Sequence, residues 1–150
     1  MTHLKIGDTA PEINSVDQNG EKITLKQYKG KKVVLYFYPK DMTPGCTAQS
    51  CNLTENYSDL QAKGYEVLGV SCDSVKRHQK FIEKYNLAFS LVSDEEKKVV
   101  EDYGVWGLKK FMGREYMGIS RTTFIIDEKG IIEEVITKVD TKNHTSQILK

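Results

Sequence analysis

Three cysteines, Cys46, Cys51 and Cys72, are the residues best suited to covalent chemistry in this chain. Cys46 follows the loop Pro39-Lys40-Asp41-Met42-Thr43-Pro44-Gly45 and falls in or near the first turn of a predicted helix. Unpaired N–H groups and the positive dipole end at a helix start favour a thiolate over a thiol, and the thiolate is the nucleophile. Thr43 stands three residues earlier, with a hydroxyl able to hydrogen-bond the sulfur or a bound oxygen. Pro44 and Gly45 carry little side-chain bulk, so a small substrate can approach. Taken alone, Cys46 is also compatible with a buried cysteine packing as a small hydrophobe.

Cys51 follows Cys46 at i+5. On a helix this places the side chains about 140° apart with about 7.5 Å of rise. A disulfide needs Cα atoms within about 7 Å and converging Cβ vectors. The two therefore either never pair or pair only when the first turns unwind. Cys46 lies on the stripe Ser50, Leu53, Tyr57, whereas Cys51 points away from it, so packing explains Cys51 poorly. Cys72 ends the apolar run Val67 to Cys72 and reads mainly as a packed strand residue. Arg121 directly precedes the apolar segment Thr122 to Ile126. A guanidinium at the mouth of a buried strand needs an anionic partner or polar pocket, and a thiolate would serve. A surface arginine at a strand start is the alternative. Arg77 and Arg114 lie in polar stretches and read as solvated.

The elements that must position these residues can be read from pattern. Ile13–Asp17 and Lys22–Leu25 flank Asn19-Gly20, a strong hairpin signal. Val33–Tyr38 is a continuous apolar run and predicts a buried central strand. A helix is expected over Cys46–Lys63, a second buried strand over Glu66–Cys72, and a helix over Val75–Tyr85 with Ser74 and Asn86 as its caps. His78 lies on the apolar stripe of that helix and reads as a core or boundary residue. Leu91-Val92 suggests a short strand, and Ser93 with Glu96 suggests a capping box opening a helix to Tyr103-Gly104. Residues 105–120 read as an ordered loop whose aromatic and Met side chains pack inward, with a pocket cover or partner patch as alternatives. Strands over Thr122–Ile126 and Ile131–Thr137 and a helix over Thr141–Leu149 complete the chain. The order implies an α/β fold, a mixed central sheet with helices on both faces and an N-terminal β-hairpin. Sites in such sheets gather beyond the C-terminal ends of parallel strands, which is where the loop before Cys46 falls.

Composition sets the outer limits. The 150 residues suit one domain over 1–150. Lys plus Arg is 22 and Asp plus Glu is 21, a net charge of +1, so no basic excess points to nucleic acid. The longest apolar run, Val33–Tyr38, is far short of the roughly 20 residues that span a bilayer. Met1-Thr2-His3-Leu4-Lys5 lacks a signal-peptide pattern, and an odd cysteine count does not suggest a secreted disulfide framework. A cytoplasmic, thiol-reducing location is expected. The Cys and His spacings match no zinc site.

Pro39-x3-Thr43-x2-Cys46 resembles the peroxiredoxin active-site pattern. Cys51, and Arg121 before Thr-Phe-Ile-Ile-Asp, resemble the bacterioferritin comigratory protein subgroup. Gly104-Val105-Trp106-Gly107 and Phe111-Met112-Gly113 are similar to its later segments. The resemblance extends from Gly7-Asp8-Thr9-Ala10-Pro11 to the C-terminal helix. It implies a thioredoxin-like fold and reduction of hydroperoxides without metal or organic cofactor. It further implies Cys46 as peroxidatic cysteine and Cys51 as resolving cysteine, with their disulfide recycled by thioredoxin or a similar dithiol. Thr43 and Arg121 would bind peroxide oxygens and steady the thiolate, while Pro39, Pro44 and the Gly45 backbone would shape the pocket. The subgroup resemblance favours a monomer or weak dimer. Cys72 matches no fixed feature of the subgroup. The competing readings are a thiol–disulfide oxidoreductase on the same fold and a redox-sensing protein. Against the first, the spacing is C-x4-C, and Arg121-Thr122 stands where thioredoxins usually place a cis-proline.

Overall fold

The computed structural model describes residues 2–150. Among these described residues, nine strands and five α-helices run in the order β1 (Asn14–Val16), β2 (Lys22–Thr24), β3 (Lys32–Phe37), α1 (Pro44–Glu55), α2 (Tyr57–Ala62), β4 (Tyr65–Ser71), α3 (Val75–Tyr85), β5 (Ser90–Ser93), α4 (Lys98–Asp102), β6 (Trp106–Phe111), β7 (Arg114–Ile119), β8 (Thr122–Ile126), β9 (Ile132–Ile136) and α5 (His144–Ile148). A short 3-10 turn, Leu25–Tyr28, follows β2. Seven strands form one sheet in the order β2-β1-β5-β4-β3-β8-β9. β3, β4 and β5 are parallel, whereas β8 and β9 are antiparallel additions and β1–β2 is the expected hairpin.

β3 is buried on both faces, which is why its sequence is apolar throughout rather than alternating. Val33, Leu35 and Phe37 pack with Val99, Val100 and Tyr103 on one side. Val34, Tyr36 and Tyr38 pack with Cys46, Leu53, Phe81 and Ile148 on the other. Helices therefore cover both faces, as expected, and α1 lies on the second. α3 has the expected bounds: the Ser74 hydroxyl accepts from the Arg77 N–H at 3.2 Å, and Asn86 ends the helix at φ 53°.

Four expectations need correction. The helix over Cys46–Lys63 is two helices, beginning at Pro44 and broken at Asn56. The Asn56 side-chain amide donates to the Asn52 carbonyl at 2.8 Å, a local competitor for the helical ladder. Ser93 caps no helix; its hydroxyl donates to the Asp73 carbonyl. The Asp94 carboxylate instead accepts from the Val99 and Val100 N–H groups, so α4 starts only at Lys98. Residues 106–119 are not a loop but a separate two-stranded hairpin, β6–β7. Its turn is Met112-Gly113, both at positive φ (50° and 79°), which hides a primed turn behind an unusual first residue. Leu108, Phe111, Met112, Tyr116 and Met117 are exposed there, so this cluster does not pack inward. Finally, α5 is shorter than Thr141–Leu149.

Gly69 of β4 shows how tightly the sheet supports α1. A Cβ at that position would lie 2.7 Å from Leu91 Cδ2 and 2.8 Å from Tyr36 Cζ. Its absence leaves room for the Tyr36 ring, whose hydroxyl meets Ser50 Oγ of α1 at 2.8 Å. Gly69→Ala should destabilise the protein by about 1–3 kcal/mol through overpacking, read as a lowered urea midpoint at unchanged m-value.

Candidate active site

The antiparallel register of β3 and β8 pairs Phe37 with Thr122. Arg121, one residue before Thr122, therefore stands beside the point where the chain leaves β3 for the loop to Cys46. That loop turns into α1 with Thr43 as N-cap, Pro44 in the first helical position and Cys46 two residues later. Pro44 suits that place because its missing N–H would have no helical acceptor there. No side chain caps the helix and no acidic residue lies in its first turn. The positive end of α1 is thus left to act on whatever stands at Cys46.

Cys46 is fully buried. Arg121 Nη2 donates to its sulfur at 3.2 Å, and Arg121 Nη1 donates to Gln49 Oε1 at 2.7 Å. Gln49 is itself buried, three residues after Cys46, so one guanidinium bridges two successive inward positions of α1. Gly45 fits closely beneath it: a Cβ there would stand 3.3 Å from Arg121 Nη2. The Thr43 hydroxyl donates to the Lys40 carbonyl at 2.8 Å rather than to the sulfur. Its hydrogen is committed, and its free lone pairs make it an acceptor for an incoming O–H group.

Of the expected site residues the structure brings Cys46 and Arg121 into contact, leaves the Thr43 hydroxyl off the sulfur, and adds the unforeseen Gln49, whose signal was the i+3 spacing from Cys46. Lys109 of β6 was also unforeseen. The Lys109 ammonium donates to the Ile119 carbonyl at 2.8 Å. Burial, and next the Arg121 charge, push its pKa down, while the charge of Cys46 works the other way. Arg77 is exposed, as expected, and also donates to Asp73 Oδ1 at 3.0 Å and to the Asp41 carbonyl at 3.2 Å. Pro39 lines a cavity of about 320 Å³ together with Lys40, Cys72, Trp106 and Lys109.

All three cysteines are free thiols. Cys46 and Cys51 lie on the same unbroken helix, so the helical offset between them holds here. Burial, and next the charge of Glu55, raise the Cys51 pKa. Burial pushes the Cys72 thiol up to about 11, with Asp94 adding to it. Lys97 acts the other way on Cys72, but neither thiol has a guanidinium at hydrogen-bond distance and a helix start beside it, as Cys46 does. A nucleophilic sulfur facing a fixed array of donors can attack an electrophile and stabilise charge on the group it expels.

The fold closely matches solved thiol peroxidases. A cysteine-to-serine variant of PrxQ from Xylella fastidiosa superposes with a TM-score of 0.92 at 32% identity, over 99% of this chain and 95% of that one. Peroxidoxin BcpB from Mycobacterium tuberculosis superposes with a TM-score of 0.87 at 32% identity, over 98% of this chain and 95% of that one. This is a thioredoxin fold of the peroxiredoxin class. Residues 6–135 match the AhpC/TSA family, and the chain belongs to that family. It is 47% identical to peroxiredoxin Bcp of Escherichia coli over 149 residues, 99% of this chain and 96% of the relative. Peroxiredoxin Bcp of Bacillus subtilis is 45% identical over 147 residues, 98% of this chain and 94% of the relative.

The thiol environments make a direct prediction. In a Cys46→Ser variant, iodoacetamide labelling of Cys72 should keep accelerating about tenfold per pH unit up to about pH 11, the value to which its pKa is raised. A plateau near pH 8.5, the ordinary thiol value, would contradict the burial argument; mass spectrometry of the labelled peptide reads the outcome.

Proposed function

We propose that this chain is a two-cysteine peroxidase that reduces hydrogen peroxide and organic hydroperoxides through Cys46 and Cys51. The observation that carries the assignment is the Arg121–Cys46 contact of 3.2 Å at the uncapped start of α1. The Cys46 thiolate attacks the distal peroxide oxygen. An S–O bond forms as the O–O bond breaks, and the expelled oxygen takes a proton to leave as water or an alcohol. Arg121 and the helix N–H groups stabilise the charge that develops on that oxygen. Thr43 accepts a hydrogen bond from the peroxide O–H. Pro39, Pro44 and the Gly45 backbone bound the space in which the peroxide lies.

Cys46 is then a sulfenic acid. The start of α1 unwinds and the Cys51 sulfur attacks the sulfenic sulfur. An S–S bond forms, the S–O bond breaks and water leaves. A thioredoxin-type dithiol reduces the disulfide by exchange and returns both thiols. These steps ask no chemistry of a metal or organic cofactor. We assign the function to a single domain over 1–150, working in the reducing cytoplasm as a monomer or weak dimer. No helix among the described residues is long and apolar enough to cross a membrane. The near-neutral charge of +1 supports neither a nucleic-acid partner nor an anionic membrane surface.

Cys46→Ser should abolish peroxide consumption in an assay coupled to thioredoxin, thioredoxin reductase and NADPH; turnover near the native rate would refute the assignment. Cys51→Ser should consume one equivalent and then stall at the sulfenic acid or pass to sulfinic acid, seen as added oxygen by intact mass. A main Cys46–Cys72 bond in the native protein, found by peptide mapping, would remove Cys51 from the resolving role. Arg121→Ala should slow peroxide attack by about 10²–10³-fold, the cost of losing one fixed charge-stabilising donor. Native-like single-turnover rates in that variant would exclude it.

A further inference from the structure

The most heavily bonded residue of the loop before Cys46 is Asp41, which is 1% exposed. Its Oδ1 accepts from the Tyr38 hydroxyl at 2.6 Å, and its Oδ2 lies 2.6 Å from His78 Nδ1. Its backbone N–H donates to Asp73 Oδ2 at 2.8 Å, and its carbonyl accepts from Arg77 Nη2 at 3.2 Å. One loop residue is thus tied to the residue that ends the β3 run, to the turn after β4, and to α3. His78 is wholly buried, and its Nε2 faces the Val92 carbonyl at 2.9 Å. A carbonyl only accepts, so Nε2 carries hydrogen and donates. The ring is therefore held at both nitrogens, by β5 on one side and the loop on the other.

The ligand-type atoms of Asp41, Asp73 and His78 lie within 4.8 Å of one another. Each is already engaged: Asp73 Oδ1 with Arg77, Asp73 Oδ2 with Ser71 Oγ and the Asp41 N–H, and His78 and Asp41 as above. The cluster is therefore a hydrogen-bonded brace rather than a metal site. A buried carboxylate–imidazole pair carries a desolvation cost that two apolar side chains would avoid. Its place in the chain shows what it does. The next residue, Met42, sits at φ 67°, a left-handed conformation unfavourable for a residue with a side chain. That turn persists because Asp41 is fixed before it and Thr43 is fixed after it as the N-cap of α1. It aims the helix whose third residue meets Arg121.

We propose that Asp41 and His78 are positioning residues for Cys46: they form a fixed post that sets the approach of the loop, and with it the sulfur against Arg121. The post also marks the N-terminal limit of the segment that rearranges when the disulfide forms. Residues beyond Asp41 move, while Asp41, bonded on every side, stays. On the other side Asn52 is held to the C-terminal segment, accepting from the Thr145 N–H at 2.8 Å and donating to the Lys142 carbonyl at 3.0 Å. The rearranging segment between these holds is 42–51. This inference rests on the peroxidase reading, and the test separates the two.

The test compares the native chain with His78→Leu and with the double variant Asp41→Ala/His78→Leu, which removes the buried carboxylate that the single variant leaves without its imidazole partner, should the single variant not fold. Folding is checked by circular-dichroism melting. The expected result is a fall of at least ~10-fold in the single-turnover rate constant for hydrogen peroxide, which depends on aligned donors. Iodoacetamide labelling of Cys46, which needs only a reachable thiolate, should stay within about threefold of native. A folded variant with the native peroxide rate would overturn the proposal. So would a parallel fall of both rates, because the pair would then act on ionisation or access rather than position. On the native protein, the resonance of the proton shared between His78 Nδ1 and Asp41 Oδ2 should persist after the Cys46–Cys51 bond forms. Its loss on oxidation would show that the post lets go, and would overturn the proposal without any variant. A native chain that consumed no peroxide would refute the peroxidase reading itself.

Discussion

The site depends on one contact, the Arg121 guanidinium held between the Cys46 sulfur and the Gln49 amide oxygen. A guanidinium keeps its charge and its planar fork at any working pH, so it imposes both a charge and a geometry on its partners. For the contact to form, three separate features must agree. The β3–β8 register must bring Arg121 to the exit of β3. α1 must start close enough to that exit to present its third residue. Residue 45 must leave room for the guanidinium, and at Gly45 a Cβ would stand only 3.3 Å from it. None of these is local to the cysteine, yet each sets the conditions under which its sulfur reacts.

The same helix must be both firm and breakable. It is firm from Asn52 onward: Asn52 is clamped to the C-terminal segment and Leu53 is wholly buried. It is weak at its start, where no side chain caps it and Gly45 adds little to helix stability. Its end is limited by Asn56, which turns its own side chain back on the ladder. Opening the first turns gives up the Arg121 contacts to Cys46 and Gln49 and the Ser50–Tyr36 bond, while the sheet beneath stays in place. This division lets two cysteines five residues apart face different ways when reduced and still meet when oxidised.

Much of this was legible in the chain because the relevant signals are short-range. The apolar run of β3, the Asn19-Gly20 hairpin and the caps of α3 each follow from neighbouring residues. Cys46 was legible because a loop running into a helix start is itself a local feature. The β6–β7 hairpin was not legible, because Met112 adopts a positive φ usually left to Asn or Gly and because its apolar side chains face outward. The start of α4 was misplaced because Asp94, rather than the expected Ser93, supplies the acceptors for its first N–H groups. Arg77 is exposed as expected, but its partners, Asp73 and the Asp41 carbonyl, were not legible because they meet only where a loop crosses two strand ends.

By itself the sequence determined which residue types were available and where the chain would turn, extend or coil, since backbone sterics and side-chain period act over a few residues. It also determined that Cys46 and Cys51 are incompatible with a bond on an intact helix, because rise and rotation per residue are fixed. Only the tertiary structure decided which polar groups became partners. Arg121 meets Cys46 across 75 positions, and His78 meets Asp41 across 37. Such pairs form because burying apolar strands and helices brings distant polar groups out of water together, and each must then satisfy its hydrogen bonds with whatever the packing has placed beside it.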